Sequence, residues 1–295
     1  MKKLAEKFLI GEEHFASVDG LRMRFLTMGP TEERSERPPL VLVHGLLASA
    51  FSWRNNIVPF AARRKVYAID QIGIGYSERP KNGNFDFSFR GTAQRLLQWM
   101  KAEGLHGADV VATSHGGAIA MMMTAFDLEQ RSGLIGRQIL VDAANPFSRR
   151  GNLRILLFNT AFGEWFVRTV GIANVASGAL GLRHMYFNRD LCTEDSVLGY
   201  STPMRTPGTE DYALGILKTW WRDMDELRVR LPKISQRPTL LIWGANDGVV
   251  PLSSGRRLAE CFPGAELKII PNCGHLPYEE TPEVFNRMVL EYLDK

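Results

Sequence analysis

The sequence predicts an α/β protein: a doubly wound, mostly parallel β-sheet interrupted by a helical insertion. Six short, continuously apolar runs recur along the chain, as expected of strands that are buried on both faces of a parallel sheet. Between most of these runs lie segments whose apolar residues repeat with helical spacing. Alternation of strand and helix along the chain is typical of a doubly wound α/β fold.

The first elements form a hairpin that precedes this alternation. Residues 14–18 and 21–27 carry apolar side chains in rough alternation around Asp19-Gly20, a favoured two-residue turn. A loop rich in Pro, Glu, Arg and Ser follows at 29–39. The apolar runs then predict strands at 40–43, 65–69, 108–112, 138–141, 239–243 and 267–270.

The predicted helices occupy 88–105, 118–128 and 278–293, where apolar residues recur at i, i+3 and i+4. The alternation breaks once, between Val141 and Thr239, where no clear buried strand occurs.

This interval is helical in character at 151–182 and 213–227. It is an insertion between two strands of one sheet rather than an independent domain. We therefore predict a core made of residues 1–146 and 237–295, with residues 147–236 inserted in it.

Composition and charge exclude several classes of protein. The formal charge is only +4, and short basic clusters at 63–65, 149–150 and 256–257 are separated, whereas a nucleic-acid groove needs a sustained basic stripe. Three cysteines (Cys192, Cys261 and Cys273) without CxxC spacing argue against a disulfide framework or a zinc site. We expect no nucleic-acid partner.

No run of the sequence reaches the ~18 apolar residues of a membrane-spanning helix. The apolar stretch Phe8-Leu9-Ile10 is too short for the core of a signal peptide. We expect a soluble, cytoplasmic protein without stable membrane insertion. Nothing in the sequence indicates an oligomeric state.

The octet from Val110 to Gly117 is the most informative segment, because it reads as a strand, a serine between small residues and the start of a helix. Such a strand-to-helix turn is so tight that it projects its central side chain outward and tolerates only small residues nearby. Ala112 stands where the usual G-x-S-x-G pattern has its first glycine. We predict that Ser114 is a nucleophile.

A serine hydroxyl needs a base and an orienting acid. His275 follows the last strand in the loop Asn272-Cys273-Gly274-His275, at the same edge of the predicted sheet as Ser114, and is our choice of base. Asp247 follows the preceding strand at that edge, and we favour it as the acid over Asp142, which follows Val141.

Two other aspartates and two histidines have different predicted roles. Asp70 opens a glycine-rich turn that it is expected to shape, and Asp109 begins its strand and so faces the wrong edge. His115 neighbours Ser114 at a sharp turn where side chains diverge, and His44 is expected to stabilise a turn.

An oxyanion formed by attack at Ser114 requires hydrogen-bond donors that are already in place. The backbone N–H of His115, directly after the nucleophile, is one predicted donor. The second should come from the loop that follows the strand at 40–43, and we assign it to Leu46.

Together these residues resemble the α/β-hydrolase superfamily over nearly the whole chain. The matching motifs are His44-Gly45, Asp70 with Gly73-x-Gly75-x-Ser77, Ser114, Asp247-x-x-Val250-Pro251 and Gly274-His275, in the order Ser, Asp, His of this fold. The resemblance implies that the insertion at 147–236 is a helical cap that roofs the pocket and selects the substrate. It implies neither a metal nor an organic cofactor.

Within that superfamily, the residues argue against some branches, but these motifs do not separate an esterase from a lactonase. Haloalkane dehalogenases and epoxide hydrolases have an aspartate nucleophile, so Ser114 argues against both. Carbon–carbon bond hydrolases of aromatic degradation use serine, but many have Trp after the base, where this chain has Leu276.

The leading hypothesis is a hydrolase of carboxylic esters of small to medium apolar substrates that works through an acyl-enzyme. The alternatives are a carbon–carbon bond hydrolase or lactonase on the same triad, and a non-catalytic ligand receptor on the same fold. The small-molecule ester is the only partner we expect.

Aromatic and methionine residues, in the insertion and elsewhere in the chain, suggest an apolar pocket. Phe158, Phe162, Trp165 and Phe166 are expected to line the pocket or form the core of the cap, rather than contact a lipid surface. The residues suggesting an apolar acyl or alcohol pocket are Met121, Met122, Met123, Phe162, Trp165, Trp220 and Trp221.

Overall fold

The computed structural model describes residues 9–30, 35, 37–81, 85–148, 152–170, 172 and 179–295. Phe8, the basic pair Arg149-Arg150 and parts of the predicted segments 29–39 and 151–182 lie outside these residues.

An eight-stranded sheet organises the described part of the chain, with the order β1-β2-β4-β3-β5-β6-β7-β8. β1 and β2 are antiparallel to their neighbours, and the pairs from β4 through β8 are parallel. Each predicted strand is present, within a few residues of its expected bounds. The strands are β1 Glu12–Val18, β2 Leu21–Met28, β3 Leu40–Val43, β4 Val66–Ile69, β5 Ala108–Thr113, β6 Ile135–Val141, β7 Thr239–Gly244 and β8 Glu266–Ile270.

The predicted hairpin is confirmed, and its turn explains the choice of residues. Asp19 and Gly20 both have positive φ, 50° and 75°, which the two-residue turn of a hairpin requires. Val18 pairs with Leu21 across that turn.

The helices lie between and after the strands. They are α1 Ile57–Ala61, α2 Phe89–Ala102, α3 His115–Gln130, α4 Asn152–Phe158, α5 Ala161–Val170, α6 Ala179–Arg183, α7 Glu194–Met204, α8 Thr209–Ile234, α9 Leu252–Glu260, α10 Pro277–Glu280 and α11 Pro282–Leu293. The predicted single helix at 278–293 is wrong, because Thr281 interrupts it. A residue before proline is disfavoured in helical geometry, and Thr281 has a non-helical backbone, with φ −139° and ψ 57°, before Pro282.

Helices α4 to α8 belong to the segment between β6 and β7. The long helix α8 packs on α2 and α3, so the insertion rests directly on the helix that begins at Ser114. No helix among the described residues has the length and apolar character needed to cross a membrane.

Candidate active site

Ser114 lies between the end of β5 and the start of α3, with φ 52° and ψ −125°. Positive φ is strained for a residue with a Cβ, and it persists only where the surroundings enforce it. Here the peptide N–H of Ser114 donates to the carbonyl of Val141 at 3.0 Å, and its carbonyl accepts from Ala144 N–H at 2.9 Å. The turn therefore holds the serine at the carboxyl edge of the sheet.

Small residues around Ser114 are needed because backbones approach closely. A Cβ at Gly116 would lie 2.3 Å from the carbonyl oxygen of His44, and one at Gly117 would lie 2.5 Å from the Cβ of Ala143. Ala112 is fully buried in β5. An alanine is thus accommodated at the position where the usual pattern has its first glycine.

His275 and Asp247 are joined by a hydrogen bond of 2.8 Å between Nδ1 and Oδ2, and both side chains are buried. The other carboxylate oxygen of Asp247 accepts from the N–H groups of Val249 and Val250 at 2.7 and 2.9 Å. Burial by itself would raise the pKa of Asp247, but His275 and these hydrogen bonds hold it below its ordinary value. Asp247 is therefore an ionised acceptor for the imidazole.

Asp142, the rival acid, lies beside this pair. Among the described residues, Asp142, Asp247 and His275 form one group whose ligand-type atoms lie within 4.8 Å of one another. A cation there would have to displace the 2.8 Å hydrogen bond between His275 and Asp247. The group is therefore organised around this hydrogen bond.

The loop after β3 faces Ser114. His44 in that loop is buried, with Nδ1 2.8 Å from the carbonyl of Gly45 and Nε2 3.1 Å from the N–H of Gln71. These contacts fix a tautomer in which Nδ1–H donates and Nε2 accepts. Burial lowers the pKa of His44, despite the attraction of nearby Asp70. His44 is a neutral turn-stabilising residue, as predicted.

The predicted oxyanion donors, Leu46 and His115, both line the cavity that also contains Ser114 and His275. His115 is the first residue of α3, where an N–H has no partner within the helix. Its ring packs against Phe89 and Trp220, and burial together with His44 lowers its pKa to about 3. A neutral ring held in this way is unsuited to act as the base.

Asp70 and Asp109 have structural partners. Asp70 accepts from Ala50 N–H, Tyr76 N–H and the Arg24 guanidinium at 2.6, 2.8 and 3.0 Å, so it shapes the turn after β4 as predicted. Asp109 begins β5 and binds Arg64 and Arg137 at 3.1 and 2.9 Å, at the edge of the sheet opposite Ser114.

A cavity of about 560 Å³ adjoins Ser114 and His275. Its described lining contains no Lys, Arg, Asp or Glu side chain. The lining is mostly apolar and comes largely from the insertion. The insertion supplies Ile155, Phe158, Val167, Ile172, Leu182, Met185, Val197, Tyr200, Met204, Ala213, Leu214, Leu217, Trp220 and Met224.

The cavity is apolar, as the seven aromatic and methionine residues suggested, and of those seven Trp220 lines it. The three consecutive methionines 121–123 are buried within α3 instead. Phe162 and Trp165 are 64% and 59% exposed on α5, the opposite of the expected pocket or core position. The inward positions of α5 are Gly163 and Val167.

Two residues that the sequence analysis missed, Glu280 and Met185, connect the insertion to the loop of His275. Glu280 accepts from the N–H groups of Gly274 and Phe187 at 2.8 and 2.9 Å. The carbonyl of Met185 accepts from His275 N–H at 2.7 Å.

Glu279 is bound by Arg54 at 2.7 Å and by the hydroxyl groups of Tyr186 and Tyr200. Burial alone would lower the pKa of Arg54, but Glu279 raises it. Two adjacent glutamates carry no spacing signal that could have revealed these partners. Cys273, predicted to be a buried filler, is fully buried, and burial raises the pKa of its thiol.

Residues 38–282 match the family model described as the α/β hydrolase fold. The chain is similar to the uncharacterized hydrolase YugF of Bacillus subtilis, at 26% identity over 261 residues that cover 87% of this chain and 90% of that protein. It is also similar to 2-hydroxymuconate semialdehyde hydrolase of Pseudomonas putida, at 25% identity over 273 residues that cover 88% and 89% of the two chains.

A solved structure of a meta-cleavage product hydrolase from Pseudomonas fluorescens shares the fold. Its TM-score is 0.76 at 23% identity, and the match covers 97% of this chain and 98% of that one.

Proposed function

Since the chain belongs to the α/β-hydrolase fold family, we propose that it is a serine hydrolase that cleaves carboxylic esters of small to medium, uncharged apolar substrates. Ser114 is the nucleophile, His275 the base and Asp247 the acid that orients it. The observation that carries the proposal is an apolar cavity of about 560 Å³ that adjoins both Ser114 and His275 and has no Lys, Arg, Asp or Glu side chain in its described lining.

In the proposed reaction, Oγ of Ser114 attacks the ester carbonyl while Nε2 of His275 takes its proton. Asp247 binds Nδ1–H, which fixes the tautomer and stabilises the imidazolium that forms. The N–H groups of Leu46 and His115 bind the oxyanion, with the positive end of α3 beneath it. His275 then protonates the leaving alcohol and activates the water that releases the acid.

The second candidate is cleavage of a carbon–carbon bond on the same triad, supported by the P. putida relative. By its name that relative acts on a muconate, which carries a carboxylate. An unpaired carboxylate in an apolar cavity is strongly disfavoured, and the described lining offers no Lys or Arg to pair with it. The neutral lining therefore favours the ester.

A matched pair of substrates tests this choice. p-Nitrophenyl pentanoate and mono-p-nitrophenyl glutarate have acyl chains of equal length, and only the glutarate ends in a carboxylate. We expect kcat/KM for the pentanoate to be higher by at least about 100-fold, because the glutarate would bury an unpaired charge. Equal rates would contradict the proposal, as would cleavage of 2-hydroxymuconate semialdehyde by an enzyme inactive on esters.

The non-catalytic receptor makes a different prediction from both enzymes. A fluorophosphonate probe reacts only with an activated serine. We expect stoichiometric labelling that peptide mapping assigns to Ser114. An unlabelled, folded protein would favour the receptor.

A further inference from the structure

Asp142 directly follows β6, and Asp247 lies in the loop after the neighbouring strand β7. It is fully buried and has a positive φ of 43°. Its N–H donates to the carbonyl of Ile242 at 2.9 Å, and its Oδ1 accepts from Gly244 N–H at 3.0 Å. The second carboxyl oxygen, Oδ2, is buried and accepts no hydrogen bond from any described residue.

The surroundings of Asp142 supply acids rather than fixed cations. Asp247 and Glu280 both disfavour a negative charge on it, and Cys273 and Tyr278 are close enough to interact with it. His275 lies in the same group, but its Nδ1 is already bound to Asp247. Two adjacent buried carboxyl groups cannot both ionise at moderate cost, so one of them retains a proton.

The hydrogen bonds decide which of the two carboxyls holds the proton. Asp247 accepts from two peptide N–H groups and interacts with the imidazole, whereas Asp142 accepts from one peptide N–H. Burial and then the charge of Asp247 raise the pKa of Asp142 well above its usual range. A proton on Oδ2 of Asp142 would also give that orphaned oxygen a partner, because O–H can donate to Asp247.

We propose that Asp142 is a positioning residue: a neutral carboxylic acid that donates a hydrogen bond from Oδ2 to the carboxylate of Asp247. The inference rests on the proposed function in so far as Asp247 orients the catalytic base. The donor helps to hold the Asp247 carboxylate in place. It also spreads the negative charge of Asp247 over two carboxyl groups.

The isosteric variant Asp142→Asn tests this role, because an amide N–H₂ replaces the O–H donor and cannot ionise. Asparagine also tolerates positive φ. We expect kcat to fall by less than about 10-fold. The midpoint of the acidic limb in the pH profile of kcat/KM should not change, because the neutral donor is retained. Asp247→Asn in parallel should lose about 10⁴-fold, because the tautomer of the base is then wrong.

Asp142→Ala removes the donor. We expect a loss of about 100-fold in kcat from misplacement of the acid and base. The acidic midpoint should rise by about 0.5 unit or more, because an undonated Asp247 carboxylate attracts the imidazolium more strongly. Rescue by asparagine of both rate and midpoint is a pattern that a merely structural role would not produce.

Infrared spectroscopy detects the proton on the Asp142 carboxyl group and does not require the enzyme to turn over a substrate. The spectrum of the wild type at pH 7, minus that of Asp142→Asn, should contain the carbonyl stretch of a protonated carboxylic acid, with the expected small shift in D₂O. Three results would overturn the proposal: absence of that band, a lower acidic midpoint in Asp142→Asn, or a loss as large as that of Asp247→Asn. If the wild type hydrolyses no ester, the proposed function fails, and the band still decides the state of Asp142.

Discussion

The carboxyl edge of the sheet and the insertion that covers it are built by opposite means. At the edge, Ser114, Asp247 and His275 are held by backbone hydrogen bonds and a strained turn. In the insertion, α4 and α5 turn Phe158 and Val167 toward the cavity while Phe162 and Trp165 face solvent. Backbone geometry thus holds the three candidate catalytic residues, whereas the orientation of helix faces decides which side chains line the cavity.

The largest expected effect breaks the chemistry at the edge. Ser114→Ala should lower kcat for p-nitrophenyl pentanoate by at least about 10⁴-fold, because the nucleophile is lost while binding remains. Ser148 also lines the cavity, so Ser148→Ala is a matched control that should stay within about 3-fold. Wild-type turnover in Ser114→Ala would show that another residue performs the reaction.

The next effect concerns the link between the two regions. Glu279→Gln should lower the free energy of unfolding by about 3 kcal/mol, because Arg54 keeps its charge and loses its counter-ion. Chemical denaturation measures the change. Glu283→Gln is exposed at the start of α11 and should change stability by no more than about 0.5 kcal/mol. Equal effects of the two variants would mean that the Glu279 network contributes little.

Two substitutions within the insertion compare the side that lines the cavity with the side that faces solvent. Phe158→Ala enlarges the cavity and should shift the preference toward longer acyl chains by about 10-fold, as expected for a few methylene groups in an apolar pocket. Phe162→Ala, on the exposed face, should shift it by less than about 2-fold. Rates on p-nitrophenyl esters of graded length measure both. A loss in Phe162→Ala confined to emulsified esters would instead indicate contact with a lipid surface.

The last effect is a pH dependence of stability at the edge, which accumulates gradually with pH. A raised pKa means that folding takes up a proton at Asp142, so this group makes the wild type less stable as pH rises above the unfolded value of about 3.9. The slope is about −1.4 kcal/mol per pH unit up to the folded pKa. Asp142→Asn should lack this contribution. Its free energy of unfolding should therefore rise relative to that of the wild type as pH rises. Denaturation curves of both proteins, measured from pH 5 to 8, check this. If Asp142 were ionised throughout, the difference between their free energies of unfolding would not change with pH.

The sequence by itself determined the sheet, the order of its elements and the residues that follow its strands. Apolar runs such as 40–43 and 239–243 are local signals, because a strand buried on both faces needs apolar side chains at every position. Parallel strands also place their carboxyl ends at one edge, so Ser114, Asp247 and His275 could be grouped without knowing any distance.

Only the tertiary structure decided which side chains line the cavity and which acids meet. The orientation of α5 depends on what packs beneath it, so composition could not tell Val167 from Phe162. Likewise, Asp142 and Asp247 lie about 100 residues apart in sequence and become neighbours because β6 pairs with β7. Glu279 finds Arg54 and Tyr200 for the same reason: long-range packing, which no local pattern encodes, brings them together.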